Sequence, residues 1–303
     1  MGTFPQDSRN TAGLTMSLRA LLPVAALALG LLPGIKAMPP DQMDAREIVR
    51  LSLQFDTLFD IFHFAPPRDY LCLKEIAVRC ALPNGQPTRA IVDTYEAIRL
   101  YDATFGRLIR KDSQELSPDK ARAEQVRFEK AVEKRAQETP GARAKRLKAE
   151  RTLTTERDGC RDEFMKVFDF RMAGTEKIGV RPSWVVEVSP LPHATPRCGD
   201  LKTFGKFHFR LWIDQTEFHL ARFEGDNIAQ LTFGIVLMRL PAGGLHFRFE
   251  QTPNEDGIWL HSRDQFKMEV RTPMMSFPVE TTITYSGYRR FRADSRIVPV
   301  DGN

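Results

Sequence analysis

The 303-residue sequence predicts a mainly β chain of the α+β class, an antiparallel meander with an N-terminal helix and an inserted charged helical segment. Three observations predict it. From about residue 165 onward, segment after segment alternates apolar and polar residues with turn residues between, the period-2 pattern of half-buried strands. No strand–helix–strand alternation appears, so a parallel sheet is not expected. Residues 115–160 break this texture with few apolar side chains and many paired charges.

The first 37 residues read as a secretory signal peptide rather than part of the fold. Arg19 precedes an apolar run from Leu21 to Leu32, and Ile35 and Ala37 stand where a signal peptidase reads. That run is shorter than the about 20 residues a membrane span needs. Met16 is an alternative start. Cleavage after Ala37 would remove Arg9, Arg19, Lys36 and Asp7, so the formal charge of +5 falls to near +3. Such a balance excludes a dedicated nucleic-acid binder. The mature chain, 38–303, reads as a single domain, periplasmic or secreted, with no membrane span.

In "DAREIVRLSLQFDTLFDIF" (44–62) the apolar residues recur at mostly helical spacing, with Asp44 as N-cap and "APP" at 65–67 as the stop. "YLCLKEIAVRC" alternates, Asn84-Gly85 signals a hairpin, and "DATFGRLIRKDS" reads as a third strand. The stretch from Ser117 opens with a Ser N-cap and Pro118 at the first helical position, and reads as a solvated helix lying on the body. A second helix or a mobile segment follows, ending through "RDEFMKVFDF". The remaining segments are strands. "FHFRLWIDQTEFHLARFEGD" (207–226) is the plainest of them, a hairpin in which Asp214-Gln215-Thr216 makes the turn. "IAQLTFGIVLMRL" (228–240) is apolar on both faces and interrupted by Gly234. It reads either as a strand buried on both sides or as a helical plug.

Four cysteines in an exported chain suggest disulfides. Cys72 and Cys80 lie on one strand with no turn between them, at a span of roughly 27 Å, so they cannot bond to each other. A Cys160–Cys198 bond, cross pairs with Cys72 and Cys80, or four free thiols remain open. The six histidines, His63, His193, His208, His219, His246 and His261, show no metal-ligand spacing, and there is no Cys-x-x-Cys. No nucleophile elbow, phosphate loop or dinucleotide fingerprint occurs. A carboxylate pair needs no motif, yet the expectation is a protein that is not an enzyme, with no cofactor and no metal.

The strands "FDFRMAGTEKIGVRPSWVVEVSPLP", "FGKFHFRLWIDQTEFHLARFEGD", "HFRFEQTPNEDGIWLHSRDQFKMEV" and "ETTITYSGYRRF" together resemble the LolA-like outer-membrane lipoprotein-sorting proteins and their uncharacterised secreted relatives. The shared pattern is a strand ending in Asp after an aromatic ("LWID"), a Gly-Ile-Trp-Leu turn, and a closing Tyr-Ser-x-Tyr strand. It covers roughly 165–292 and, more weakly, 44–113; the 115–160 insertion has no counterpart in the carriers. The resemblance implies an incomplete antiparallel β-barrel curved over an apolar cavity that a helix lids. It implies a lipid or lipoprotein acyl chain as partner, with an envelope protein as a second partner. The residues expected to line the cavity are Trp184, Val186, Phe207, Phe209, Leu211, Phe247, Phe249, Phe266 and Met268, which share a parity with apolar neighbours. Each is equally a residue type of ordinary core. The competing expectation is an envelope scaffold with a filled core and a partner surface on the charged helices.

Overall fold

The computed structural model describes residues 43–55, 70–81, 86, 88–100, 103–233 and 238–290. The signal-peptide reading of 1–37, the later part of the first expected helix and the Asn84-Gly85 turn fall outside them.

The N-terminal amphipathic run forms helix α1 (Ala45–Ser52), extended by a single 3-10 turn, Leu53–Phe55. Strands β1 (Tyr70–Cys80), β2 (Ile91–Leu100) and β3 (Ala103–Lys111) follow, then the two-residue β4 (Gln114–Glu115). The charged insertion folds as two helices, α2 (Pro118–Ala136) and α3 (Pro140–Val167). Thr139 caps α3, its hydroxyl accepting from the Ala142 N–H, with Pro140 at the first helical position. Next come β5 (Phe168–Ile178), β6 (Arg181–Pro190), the short α4 (Gly199–Phe204), β7 (Phe207–Asp214) and β8 (Leu220–Asn227). The chain finishes with β9 (Leu231–Phe233), β10 (Met238–Leu240), β11 (Leu245–Pro253), β12 (Trp259–Arg271) and β13 (Ser276–Arg290).

These strands make one antiparallel sheet in the order β4-β3-β2-β1-β13-β12-β11-β8-β7-β6-β5. Among the described residues β4 and β5, at the two ends of this order, do not pair, so the sheet stays open, as an incomplete barrel requires. The β1 and β13 pairing joins the two ends of the sequence, which is why the strands before the helical insertion belong to the same sheet. The apolar 228–240 stretch is neither one strand nor a plug. β9 and β10 pair with each other, so it folds back as a small hairpin beside β12.

The helices occupy both faces. On the inner face α1 packs over β5 and β7 through Ile48, Val49 and Leu53, joined there by Phe164 and Phe168 from the end of α3 and the start of β5. Arg46 fixes α1 in place, donating to the carbonyls of Met165 and Phe168 and lying 5.0 Å from the Phe170 ring. On the outer face α2 leans on β3. Phe128 is buried against Phe105, and Arg127 stacks over the Phe105 ring. The insertion is thus more than a solvated helix: one aromatic anchors it. Two further bonds reach the free side of β3, where Glu124 accepts the Leu108 N–H and Arg127 donates to the Gly106 carbonyl.

The cysteine alternatives resolve into one disulfide, Cys160–Cys198, which ties α3 to the start of α4; Cys72 and Cys80 are free.

Candidate functional site

The inner face is built row by row from strand register. Val188, Phe209, Gly225, Phe247 and Phe266 lie side by side across β6, β7, β8, β11 and β12. The adjacent row is Val186, Leu211, Phe223, Phe249 and then Asp264. Period-2 alternation therefore puts the Phe-rich positions of four strands on one surface. Of the nine residues expected from sequence, Trp184, Val186, Phe207, Phe209, Leu211, Phe247 and Phe249 belong to one cluster, each at most 5% exposed. Phe266 and Met268 are half-buried and pack against it. The rings touch one another: Phe209–Phe223, Phe223–Phe247, Phe247–Phe249 and Phe249–Phe266 have centroids 5.1–5.5 Å apart. Such spacing is ordinary for offset and edge-to-face aromatic pairs.

At β12 the apolar surface meets a polar cluster. Asp264 is fully buried, and the Tyr285 hydroxyl donates to its Oδ2 at 2.7 Å. Its Oδ1 lies 3.6 Å from His261 Nδ1. Tyr288 donates to the His261 carbonyl at 2.8 Å, and Lys74 Nζ stands 5.7 Å from the centre of the Tyr285 ring. Burial pushes the Cys72 thiol up to about 11, draws the Lys74 ammonium below its ordinary range, and raises both tyrosines. The cluster holds neutral tyrosine hydroxyls as donors beside a buried carboxylate. Sequence reasoning missed it. Its one signal was that Asp264 shares the parity of Phe266, Met268 and Val270, a carboxylate on the apolar side of a strand.

The 3-10 turn after α1 meets a second polar group at the β7–β8 turn through Phe55. Asp214 is buried and accepts two bonds from Arg181, at 2.7 and 3.0 Å, and two from the N–H groups of Thr216 and Glu217. Burial works against its charge, but those donors outweigh it and hold the carboxyl below its ordinary value. Arg181 also lies 5.2 Å from the Trp259 ring, whose Nε1 donates to Glu217. His219 sits between Phe55 and Trp259, with ring centroids at 4.1 and 5.3 Å, and burial lowers its pKa.

The outer face is of opposite character. Arg171, Glu187, Arg210, Glu224 and Arg248 form one cross-strand row of alternating charge. The Arg171 bond, then that from Arg210, holds Glu187 below the usual carboxylate range. Trp212, on the outer parity, is nonetheless buried: Arg222 and Arg210 cover its ring, and its Nε1 donates to Glu176 at 2.8 Å. His208 and Arg210 are exposed. A groove of about 430 Å³ opens beside His246, Lys267, Glu269, Pro278 and Glu280, and of the nine expected residues Met268 borders it.

No protein-family model and no curated protein matches the chain. Among solved structures it is similar to a LolA superfamily protein from Nitrosomonas europaea, at 13% identity over 82% of this chain and 94% of that one, with a TM-score of 0.27. It is also similar to a putative outer membrane lipoprotein-sorting protein domain from Vibrio parahaemolyticus, at 9% identity, 84% and 94% coverage and a TM-score of 0.32. A third is MucB of Pseudomonas aeruginosa in complex with MucA, at 11% identity, 83% and 100% coverage and a TM-score of 0.25. Likenesses at this level assign no function. The candidate site therefore stands on its own geometry.

Proposed function

We propose that this is an exported, non-catalytic protein that takes up the acyl chain of a lipid or lipoprotein on the inner face of its sheet, against Trp184, Val186, Phe207, Phe209, Leu211, Phe247, Phe249, Phe266 and Met268. The observation that carries the reading is the continuity of that apolar surface across β6, β7, β8, β11 and β12, with the short helix α1 packed beside it on β5 and β7. The rings pack against one another and α1 joins the same cluster at β5 and β7, so an acyl chain would enter by taking the place of α1. The magnitudes allow the exchange. Ile48, Val49 and Leu53 are worth about 1.5–3 kcal/mol each when buried, and each methylene of an acyl chain about 0.8 kcal/mol, so roughly ten methylenes suffice. The Cys160–Cys198 bond supports export, because such bonds persist in oxidising compartments.

A second reading has its own support. Ring centroids 5–6 Å apart from Phe204 to Phe266 are what a filled core shows, and would suit an envelope scaffold that binds a protein. One titration separates the two. A fluorescent fatty acid should bind the wild-type protein, and Arg46→Ala, which frees α1 from the carbonyls of Met165 and Phe168, should tighten binding. If neither protein takes up the probe, and native mass spectrometry of envelope-purified protein finds no lipid, the filled-core scaffold is the correct reading.

A further inference from the structure

The strands run between two ends of the sheet, and the two ends differ in chemistry. At one end lie the turns at 179–180, 215–219 and 254–258, with Glu217, Glu255 and Asp256 and no lysine or arginine of their own, the nearby close of β13 adding Arg289 and Arg290. At the other lie the connections at 88–90, 112–113, 191–206, 228–230, 241–244 and 272–275, where Arg89 pairs with Asp112 and Arg197, Lys202 and Lys206 stand against Asp200. This basic end also carries exposed apolar side chains. Met274 and Met275, at the tip of the β12–β13 hairpin, are 94% and 51% exposed, and Ile228 is 44% exposed. At the acidic end Val180 is 91% exposed, and Phe55, 42% exposed, packs on His219.

Behind the methionine tip, register sets Arg239 of β10 directly opposite Arg271 of β12. Like charges in that position repel. Glu269 bonds Arg271 at 2.8 Å, while Arg239 has no acidic partner among the described residues. Two adjacent thioethers held out on a tight hairpin, with Arg239 lacking an acidic partner among the described residues and the Glu269-bonded Arg271 opposite it one step behind them, match the layering of a membrane surface. Apolar atoms there lie below a plane of phosphate.

We propose that this end of the sheet docks on an anionic lipid surface, with Met274 and Met275 entering the interfacial layer and Arg239 and Arg271 meeting lipid phosphates. The contact is shallow and reversible, since a two-residue apolar tip is far smaller than a membrane anchor. It does not depend on the inner face holding an acyl chain.

The full chain is expressed with its own N-terminus and purified as the cell processes it. Co-sedimentation is then measured with vesicles of phosphatidylethanolamine and phosphatidylglycerol in equal parts, and with vesicles of phosphatidylcholine. The wild type should bind the phosphatidylglycerol vesicles and lose that binding as salt rises. The double variants Met274→Ser/Met275→Ser and Arg239→Gln/Arg271→Gln should each bind about tenfold or more weakly. Circular dichroism checks that both remain folded. In a third variant, Met274→Trp, lipids carrying a quencher in the acyl region should reduce the new fluorescence. Equal binding to phosphatidylcholine would overturn the arginine role. Unchanged binding in the methionine variant, or no wild-type binding at all, would overturn the proposal and leave this tip as a contact for a protein. Fatty-acid titration of the same variants keeps the two readings apart, because none of these four residues belongs to the apolar cluster of the inner face.

Discussion

Gly225 lies directly opposite Phe247 across β8 and β11, and a methyl group built on it would stand 2.3 Å from Phe247 Cζ. The same methyl would be 3.0 Å from Phe209 on the other neighbouring strand. Glycine here is a packing requirement: the missing side chain is the space in which two rings close over the backbone. Gly225→Ala should cost about 1–3 kcal/mol by overpacking, with an unchanged denaturant slope in urea unfolding. Adding Phe247→Leu should recover part of the loss. If Gly225→Ala is neutral, the rings have room to move and the inner face is looser than its spacing implies.

Acid should act on the Arg181–Asp214 pair. The folded-state pKa of Asp214 lies below its ordinary value, so its contribution to stability is fully present above about pH 4. It is lost as pH falls through the folded value, where the folded state must take up the proton that the unfolded chain already holds. Asp214→Asn should flatten this part of the pH dependence of the urea midpoint. Arg181→Met, which leaves a buried carboxylate without its partner, should cost about 2–4 kcal/mol at neutral pH. That is less than for a fully enclosed pair, because Arg181 keeps contact with solvent. An Asn variant with the same acid limb as wild type would place the titrating group elsewhere.

Reduction should act on one bond alone. Cys160 and Cys198 are 38 residues apart, and closing a loop of that length contributes about 3–4 kcal/mol in the chain-entropy picture. Dithiothreitol on the wild type and the double substitution Cys160→Ser/Cys198→Ser should lower the unfolding free energy by the same amount and preserve the strand signal in circular dichroism. Reductant should then leave the double variant unaffected. A further shift would reveal a bond made by Cys72 or Cys80 between two copies of the chain.

Much of this architecture can be read from residue order because alternation is a local property. The hairpin at 207–226 and the strand at 70–80 state their inward faces in their own side chains. Local pattern fails where a neighbour decides. Trp212 sits on the outer parity and reads as exposed, yet two arginines from adjacent positions bury it. Phe128 looks incidental in a charged helix until β3 supplies Phe105 as its partner. The 228–240 run is too uniformly apolar to show where it reverses. The polar cluster around Asp264 depends on Lys74, Tyr285 and Tyr288, and only the pairing of β1 with β13 and of β13 with β12 brings those positions together. The residues of the apolar face were legible from parity; whether a helix or a ligand covers them is a matter of free energy that no spacing encodes.

The two borders of the open sheet have different fates. Along β3, Glu124 and Arg127 already occupy the outward-pointing amide and carbonyl of Leu108 and Gly106, as an incoming strand would. Along β5 the register slips between Met172 and Gly174, and Gly174 adopts φ +129, so the ladder is kinked midway. A twelfth strand along the main path therefore has no straight template on either side. Both borders thus oppose the strand addition by which a long antiparallel sheet with unjoined edges can grow into a filament.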